Sequence, residues 1–175
     1  RPVGKDGGRL IEGTLAYDFT DSVDGFEASN GALTHNAEDG TILMAFAVSG
    51  ATELLFNDAV SIDSSLYRYA RMRFRFGPII ASPEQSLRFS WFLEGSETYE
   101  AAIDAGDVDL YVNGDQWHEI VWDMENDINV SGGTSLWTGT VERIRFKFLN
   151  NDPDSTTSVE VDWIRFEPGY RGQGE

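Results

Sequence analysis

Apolar and polar residues alternate with a period of two in several segments of the chain, which is the pattern of β-strands that bury one face. The clearest example is YRYARMRFRF at residues 67–76, where alanine, methionine and two phenylalanines alternate with three arginines. The same alternation occurs at residues 141–149 and 157–166. Each of these segments is predicted to be a strand whose apolar side faces a core and whose charged side faces outward.

Other segments have the length and composition of strands but a less regular pattern. They are predicted at residues 15–19, 32–35, 41–48, 53–57, 87–93, 108–112 and 117–123. Turns rich in Gly, Asp, Asn and Ser separate them, and the best short helix candidate spans residues 97–105. This pattern predicts an all-β fold, an antiparallel β-sandwich or jelly roll at residues 14–168. Residues 1–13 are predicted to be a linker or flexible tail, and residues 169–175 a second tail.

The composition fits one folded, acidic domain. Of the 175 residues 41% are hydrophobic and 13% aromatic, which is enough for a substantial core. Thirty acidic against thirteen basic residues give a net charge of −17, which disfavours nucleic acid and anionic membranes as partners. Cysteine is absent from the sequence, which excludes disulfides and thiolate metal sites. No apolar run approaches the ~20 residues that cross a bilayer, and the composition suits a secreted, extracellular protein.

The strand predicted at residues 157–166 carries different chemistry on its two faces. One phase holds Asp162, Ile164 and Phe166, and the other holds Val161, Trp163 and Arg165. An outward indole beside a guanidinium can stack on a sugar ring and hydrogen-bond its hydroxyls. Trp163 and Arg165 are therefore candidate ligand-binding residues.

Asp162 falls in the core phase of that strand, where a carboxylate is costly unless it is paired or coordinated. One hypothesis is a calcium site at the sandwich edge, with Asp18 of the first strand and oxygens from residues 38–40 as further ligands. The alternative is a salt bridge or backbone hydrogen bonds. Zinc is disfavoured, because His35 and His118 are the only histidines and do not have ligand spacing.

Eight of the thirteen basic residues form a candidate set on the predicted strands. They are Arg71, Arg73, Arg75, Arg88, Arg143, Arg145, Lys147 and Arg165. If two of these strands are neighbours, side chains ~5 Å apart would form a basic stripe suited to carboxylate or sulfate groups of a polysaccharide. The alternative is a set of ordinary solvated strand faces whose charges pair with some of the thirty carboxylates.

The remaining tryptophans differ in their predicted roles. Trp137 lies in the loop SGGTSLWTG, where an indole can flank a binding groove or can pin the loop onto the sandwich. Trp91 shares its phase with apolar neighbours and is predicted to be core. Trp117 and Trp122 fall on opposite phases of one strand, so one of them is expected to be buried, and the sequence does not say which.

Five segments together resemble the jelly-roll, galactose-binding-like carbohydrate-binding modules that are attached to polysaccharide-degrading enzymes. They are AYDFTDSVDGFEASNG, IDSSLYRYARMRFRF, QWHEIVWDM, LWTGTVERIRFKF and VEVDWIRF. The resemblance covers roughly residues 14–168 and implies non-catalytic sugar binding, a structural calcium and secretion as part of a larger enzyme. Phe26 stands where such modules often have tryptophan, so no ligand contact is carried over to that position.

Enzymatic alternatives have weaker support in the sequence. Jelly-roll glycosidases of the laminarinase type carry Glu, Asp and Glu on one strand face. Here Glu160 and Asp162 begin that pattern, but Ile164 occupies the third position. The Gln-Ile-His strand of alginate-lyase-like jelly rolls and a G-x-S-x-G elbow are both missing from the sequence.

The prediction is a non-catalytic β-sandwich that binds a polysaccharide, with a carboxylated or sulfated glycan as one option, and tethers an attached hydrolase or lyase to it. The predicted ligand-binding set is Trp163, Arg165, Arg143, Arg145, Lys147, Arg71, Arg73 and Trp137, and the predicted calcium ligands are Asp18 and Asp162. A structural domain that packs on the catalytic domain without binding sugar is the first alternative. A polysaccharide lyase or hydrolase is the second.

Overall fold

The computed structural model describes residues 10–46, 52–77, 85–97, 99–101, 116–126, 136–150 and 158–169. Over these ranges the chain forms twelve β-strands and one 3-10 turn, Ser64–Leu66. The strands are β1 Leu15–Tyr17, β2 Glu27–Ser29, β3 Gly31–Asn36, β4 Thr41–Phe46, β5 Thr52–Asn57, β6 Ile62–Asp63, β7 Tyr69–Phe76, β8 Gln85–Leu93, β9 Tyr99–Ala101, β10 His118–Asp123, β11 Thr140–Asn150 and β12 Ser158–Glu167. Within the described ranges, no helix is long and apolar enough to cross a membrane.

The strands form two antiparallel sheets. The first sheet has the order β10-β7-β12-β4-β3, and β1 pairs with the second half of β12 beside β4. The second sheet has the order β2-β5-β11-β8-β9, and β6 pairs with the start of β11. The prediction of an all-β antiparallel sandwich is therefore confirmed.

The period-two pattern explains why the sheets face each other. In β7 the four apolar side chains are buried, and the three arginines between them are partly exposed on the opposite face. In β11, Ile144, Phe146 and Phe148 are fully buried in the same way. Each fully buried side chain of this size contributes about 1.5–3 kcal/mol of transfer free energy, so the inner faces of the two sheets drive their association.

Aromatic rings fill the space between the sheets. Phe146 stacks on Phe89 of the neighbouring strand at a centroid distance of 4.9 Å. Phe74 of the first sheet meets Phe148 of the second edge-to-face at 6.0 Å. Trp91 and Trp122 are buried in this core, so Trp91 lies where the sequence predicted it, and Trp122 is the buried member of its pair.

The central strand β12 contains a β-bulge at Asp162. Val161 pairs with Phe74 and Trp163 pairs with Arg73 on β7, so Asp162 is an extra residue between two regular stretches. The bulge shifts the phase of the strand, and as a result Val161 and Ile164 both enter the core. The predicted outward position of Val161 is therefore wrong.

Several boundaries differ from the predictions. Residues 99–101 form β9, so the helix candidate at residues 97–105 is wrong where the structure describes it. The short strands β2 and β6 were not predicted from the sequence. The strand predicted at residues 108–112 and most of the predicted tail at residues 1–13 lie outside the described residues.

The first and last strands are neighbours. Leu15 pairs with Phe166 and Tyr17 pairs with Ile164, in antiparallel register. A Cβ atom placed on Gly13 would lie 3.8 Å from Cγ of Pro168, so the segments that flank these strands also meet. The chain therefore enters and leaves the sandwich at the same place.

Candidate functional site

The outer face of the first sheet carries a row of ion pairs, formed by arginines of β7 and carboxylates of the two neighbouring strands. We call it the ion-pair row, and its members are Arg71, Arg73, Arg75, Glu119, Glu160, Asp162 and Glu167. It forms because β7 lies between β10 and β12, so its outward arginines have an acidic strand face on each side. The predicted cations Arg71 and Arg73 therefore lie together, but each is paired with a carboxylate.

The pairs in this row fix the orientation of the guanidinium groups. Arg73 Nη1 lies 2.7 Å from Asp162 Oδ2, and Arg75 Nε lies 2.6 Å from Glu160 Oε2. Glu160 also accepts a hydrogen bond from the buried Thr41 hydroxyl at 2.7 Å. Charge-assisted bonds of this length hold both partners in one geometry.

Arg71 joins all three strands of this region. It pairs with Glu167 at 3.0 Å and with Glu119 on the opposite side. Burial alone would lower the pKa of Arg71. The hydrogen bonds and negative charges of Glu167 and Glu119 outweigh burial and raise this pKa above its ordinary value. The guanidinium therefore stays charged throughout the working pH range.

Trp117, immediately before β10, is the aromatic side chain at one end of this row. The Cζ atoms of Arg73 and Arg75 lie 4.9 Å and 4.7 Å from its ring centroid. The ring is partly exposed. Two guanidiniums that are themselves held by Asp162 and Glu160 thus hold an indole in place at the surface.

Trp163 lies on the same outer face but does not show its indole to solvent. Its exposed fraction is 0%, and Cζ of Arg165 lies 4.0 Å over its ring. Arg165 itself is 5% exposed. The predicted phase of these two residues is correct after the bulge, but the prediction of an exposed sugar platform at Trp163 is wrong because the position is covered.

The other predicted cations lie on the opposite side of the molecule. Arg143, Arg145 and Lys147 project from β11 on the outer face of the second sheet. Arg143 contacts Asp58 at 3.0 Å and covers the ring of Phe92. Arg145 donates to the Ser90 hydroxyl at 3.0 Å, and Lys147 pairs in register with Arg88. The predicted single stripe is therefore divided between two faces that point away from each other.

A groove lies at the end of the sandwich where the chain enters and leaves. We call it the end groove; it has a volume of about 690 Å³ and contains Trp137. Its other lining residues are Glu12, Gly13, Ser64, Ser65, Leu66, Tyr67, Arg68, Met124, Glu125, Pro168 and Gly169. The indole N–H of Trp137 donates to the Tyr67 carbonyl, so this side chain is anchored on the sandwich and also lines the groove, and the two interpretations of this residue are compatible.

The fixed cation of the end groove is Arg68. Its Nε and Nη2 atoms donate to the two oxygens of Asp123 at 3.0 Å and 2.8 Å, and Nη1 lies 3.0 Å from Glu125. The hydrogen bond from Arg68 lowers the pKa of Asp123 well below its usual range and raises that of Arg68. This bidentate pair keeps the guanidinium in one position over a wide pH range.

The two carboxylates predicted to bind calcium have other partners. Asp162 pairs with Arg73, and Asp18 accepts hydrogen bonds from the backbone and hydroxyl of Thr20. In the part of the chain that the structure describes, no group of three or more Asp, Glu or His side chains is arranged so that it could hold a metal ion. These residues do not fit a calcium site as they stand, and calcium stays a prediction from the resemblance.

The carboxylates considered for catalysis are engaged in the same way. Glu160 and Asp162 each hold an arginine, and Ile164 is buried in the core. His118 packs on Phe74 at 5.8 Å, and burial lowers its pKa below the ordinary value. These contacts account for all four residues as parts of the scaffold.

Sequence reasoning missed Trp117 and Arg68 as site residues. The alternation in residues 117–123 could place Trp117 on one face, but which face is inner depends on how β10 pairs with β7. Arg68 precedes the regular part of β7, so its partner Asp123 at the end of β10 is visible only in the folded chain.

The arrangement of two antiparallel sheets is the jelly-roll β-sandwich found in carbohydrate-binding modules. Similar solved structures include a carbohydrate-binding module, CBM28, specific for non-crystalline cellulose, with a TM-score of 0.63, 14% identity and coverage of 91% of this chain and 95% of that chain. A xylan-binding module, CBM15, matches with a TM-score of 0.60, 12% identity and coverage of 91% and 98%. A β-glucanase of Bacillus licheniformis matches with a TM-score of 0.54, 11% identity and coverage of 91% and 100%.

These matches include both binding modules and an enzyme, and at such identities they show the fold alone. No protein-family model and no curated protein sequence matches the chain.

Proposed function

We propose that the domain binds polysaccharide without catalysis, and that the outer face of the first sheet is its binding surface. The observation that carries the proposal is the partly exposed Trp117 ring, against which the guanidiniums of Arg73 and Arg75 pack. An indole of this kind stacks on the apolar face of a pyranose ring, and the guanidinium N–H groups around it donate to sugar hydroxyls. The fold shared with carbohydrate-binding modules supports the same conclusion.

The ion-pair row makes the surface rigid before a ligand arrives. Asp162 and Glu160 already fix the two guanidiniums, so little side-chain entropy is lost when a sugar binds. This surface offers one aromatic platform to a flexible, well-hydrated chain, so the affinity per site is modest. In the full-length protein the domain is secreted and tethers a glycoside hydrolase or lyase, whose effective concentration at the substrate it raises.

The charge of this surface favours a neutral polysaccharide. Among the described residues of this face, four arginines oppose four carboxylates: Arg71, Arg73, Arg75 and Arg165 against Glu119, Glu160, Asp162 and Glu167. Such a balanced surface gives little long-range attraction to an anionic chain.

A carboxylated or sulfated glycan is the second candidate ligand, and one observation favours it. Arg143, Arg145, Lys147 and Arg88 share the outer face of the second sheet, where β11 and β8 are paired. Binding there would weaken steeply with salt, which separates this candidate from the first.

The test is affinity electrophoresis of the domain in gels containing a soluble cellulose derivative, xylan, mixed-linkage β-glucan or alginate. Trp117→Ala is expected to weaken retardation by a neutral polysaccharide about tenfold, equivalent to about 1.4 kcal/mol. As a control, Ile11→Ala truncates an exposed apolar side chain that lies outside the strands of the first sheet, and it should leave retardation unchanged.

Two outcomes would contradict parts of this proposal. Retardation by alginate alone, abolished by salt and by Arg143→Ala, would move the site to the second sheet. A well-folded domain that no polysaccharide of the panel retards would reject sugar binding and favour a structural domain that packs on its catalytic neighbour.

A further inference from the structure

We propose that the end groove is a second, separate sugar-binding site, which takes one or two neutral sugar rings such as a short oligosaccharide or a chain end. The inference shares with the proposed function only the class of ligand. It uses a different surface, at the end of the sandwich, and different residues.

The first argument is the shape and rigidity of the groove. A volume of about 690 Å³ lies in the range of about 300–1,000 Å³ that is usual for small-molecule sites. Its aromatic wall, Trp137, stacks on Phe166 at 6.1 Å, meets Trp91 edge-on at 5.2 Å and donates its indole N–H to the Tyr67 carbonyl at 2.8 Å. The ring is fixed from behind and still partly exposed, as a stacking platform must be.

The second argument is the polar equipment around that ring. A guanidinium has five N–H groups, and the Arg68 contacts with Asp123 and Glu125 account for three of them. The backbone of Arg68 is also held, because its N–H donates to the backbone carbonyl of Glu167 and its carbonyl accepts from the backbone N–H of Met124. A fixed guanidinium, the Ser65 hydroxyl and the Glu125 carboxylate offer both donors and acceptors to sugar hydroxyls.

The third argument concerns charge, which selects the kind of sugar. Among the described residues at the groove, Arg68 is the cation, whereas Glu12 and Glu125 line it and Asp123 lies directly behind. Acidic residues thus outnumber the cation. This excess of negative charge repels uronic acids and sulfated sugars, so neutral sugar rings are the ligand class that the groove favours.

The experiment is an NMR titration of the 15N-labelled domain, in which the indole N–H signals of Trp117 and Trp137 are assigned with Trp→Phe variants. Xylobiose and cellobiose are the probes, and glucuronic acid is the acidic comparison. We expect both disaccharides to shift the Trp137 signal in a saturable way, and glucuronic acid to leave it in place. The shift of Trp137 should persist in Trp117→Ala, because the two sites are separate.

Two variants test the groove itself. Arg68→Met keeps the alkyl stem but removes the guanidinium, and should raise the Kd read from Trp137 about tenfold while the Trp117 response is retained. Arg68 also holds Asp123, so its replacement could disturb the fold, and Leu66→Ala serves as a second variant. Leu66 lines the groove, so its truncation should weaken binding. Its side chain is 58% exposed, so the fold should not be affected.

The outcomes of the two proposals are distinguishable. A disaccharide shift of Trp117 with none of Trp137 would overturn the end-groove site and leave the sheet-face site standing. A Trp137 shift that disappears in Trp117→Ala would show one coupled site and overturn the inference as well. A Trp137 shift without any response of Trp117 to sugars or polysaccharides would support the groove and count against the sheet face.

Discussion

Two arginine–carboxylate pairs of this domain have similar distances but very different exposure to solvent. Arg73 and Asp162 lie 2.7 Å apart with side chains 18% and 1% exposed, whereas Arg143 and Asp58 lie 3.0 Å apart with side chains 38% and 48% exposed. A buried carboxylate depends on its partner because water cannot replace it, but an exposed one does not. The two pairs should therefore contribute unequally to stability.

We expect Arg73→Met to lower the free energy of unfolding by about 3 kcal/mol, because it removes the guanidinium partner of a buried charge. The matched change Arg143→Met should cost less than about 1 kcal/mol, as exposed pairs do. Urea unfolding at neutral pH measures both. Equal costs for the two variants would show that burial does not govern these pairs.

Comparing the predicted and observed positions of Trp163 and Trp117 shows what a sequence can predict about a single residue. Period-two alternation correctly placed Trp163 on the outer side of β12, but phase does not reveal what covers a side chain, and Arg165 lies over this ring. Trp117 could not be assigned, because its exposure depends on the strand that pairs with β10. The face of a residue is thus a local property, whereas its accessibility is a property of the folded chain.

At the scale of the element, β12 contains a signal that simple alternation overlooks. Its core residues are Val159, Val161, Ile164 and Phe166, with a spacing of three in the middle. The extra residue is Asp162, and it lies where β12 changes its partner from β4 to β1. A spacing of three between two stretches with a period of two is the pattern of a β-bulge, but in the sequence Trp163 conceals it because this residue continues the period of two from Val161.

The turn before β2 offers a test at this scale, because it contains a glycine that is closely packed. Gly25 has φ of 81°, and a Cβ atom there would lie 3.1 Å from the Asn57 amide nitrogen, which donates to the Asp24 carbonyl. Gly95 has φ of 74° but open space around it.

Gly95→Ala should cost about 1–2 kcal/mol of unfolding free energy, the usual penalty for a left-handed backbone. Gly25→Ala should cost about 1 kcal/mol more, because the new methyl group also displaces a hydrogen-bonded amide. Denaturant unfolding of the two variants checks this difference. A Gly25→Ala domain no less stable than Gly95→Ala would show that the Asn57 contact is unimportant.

At the scale of the whole molecule, the fold class could be predicted from the sequence. The way in which side chains from different strands come together in one site could not. Alternation and turn residues suffice for an all-β sandwich, because they are local. The hypothesis of a basic stripe required two cation-bearing strands to be neighbours, which holds for β7 with β12 and for β8 with β11, but these two pairs lie in different sheets, so the cations form no single site. Strand order is set by long-range packing, which one sequence does not display.

Because the net charge is −17, we expect salt to stabilise the whole molecule, although salt weakens individual ion pairs. Repulsion among unpaired carboxylates opposes the compact state, and salt screens it as the Debye length falls from about 30 Å at about 0.01 M to about 3 Å at about 1 M. We expect the melting temperature to rise by several degrees over this range in NaCl. KCl should act equally if ionic strength is the cause, and a falling melting temperature would show that the ion pairs dominate instead.

The pairing of β1 with β12 has a consequence for how such a domain can be joined to others. The two flanking segments meet at Gly13 and Pro168. This sandwich could therefore be inserted into a surface loop of another protein without moving apart the loop residues on either side. A few residues could likewise join the segments at Gly13 and Pro168 directly, with the chain opened instead at an exposed turn such as the one at Gly95. The pairing of β1 with β12 thus makes the sandwich suitable for insertion, as one domain, into another protein.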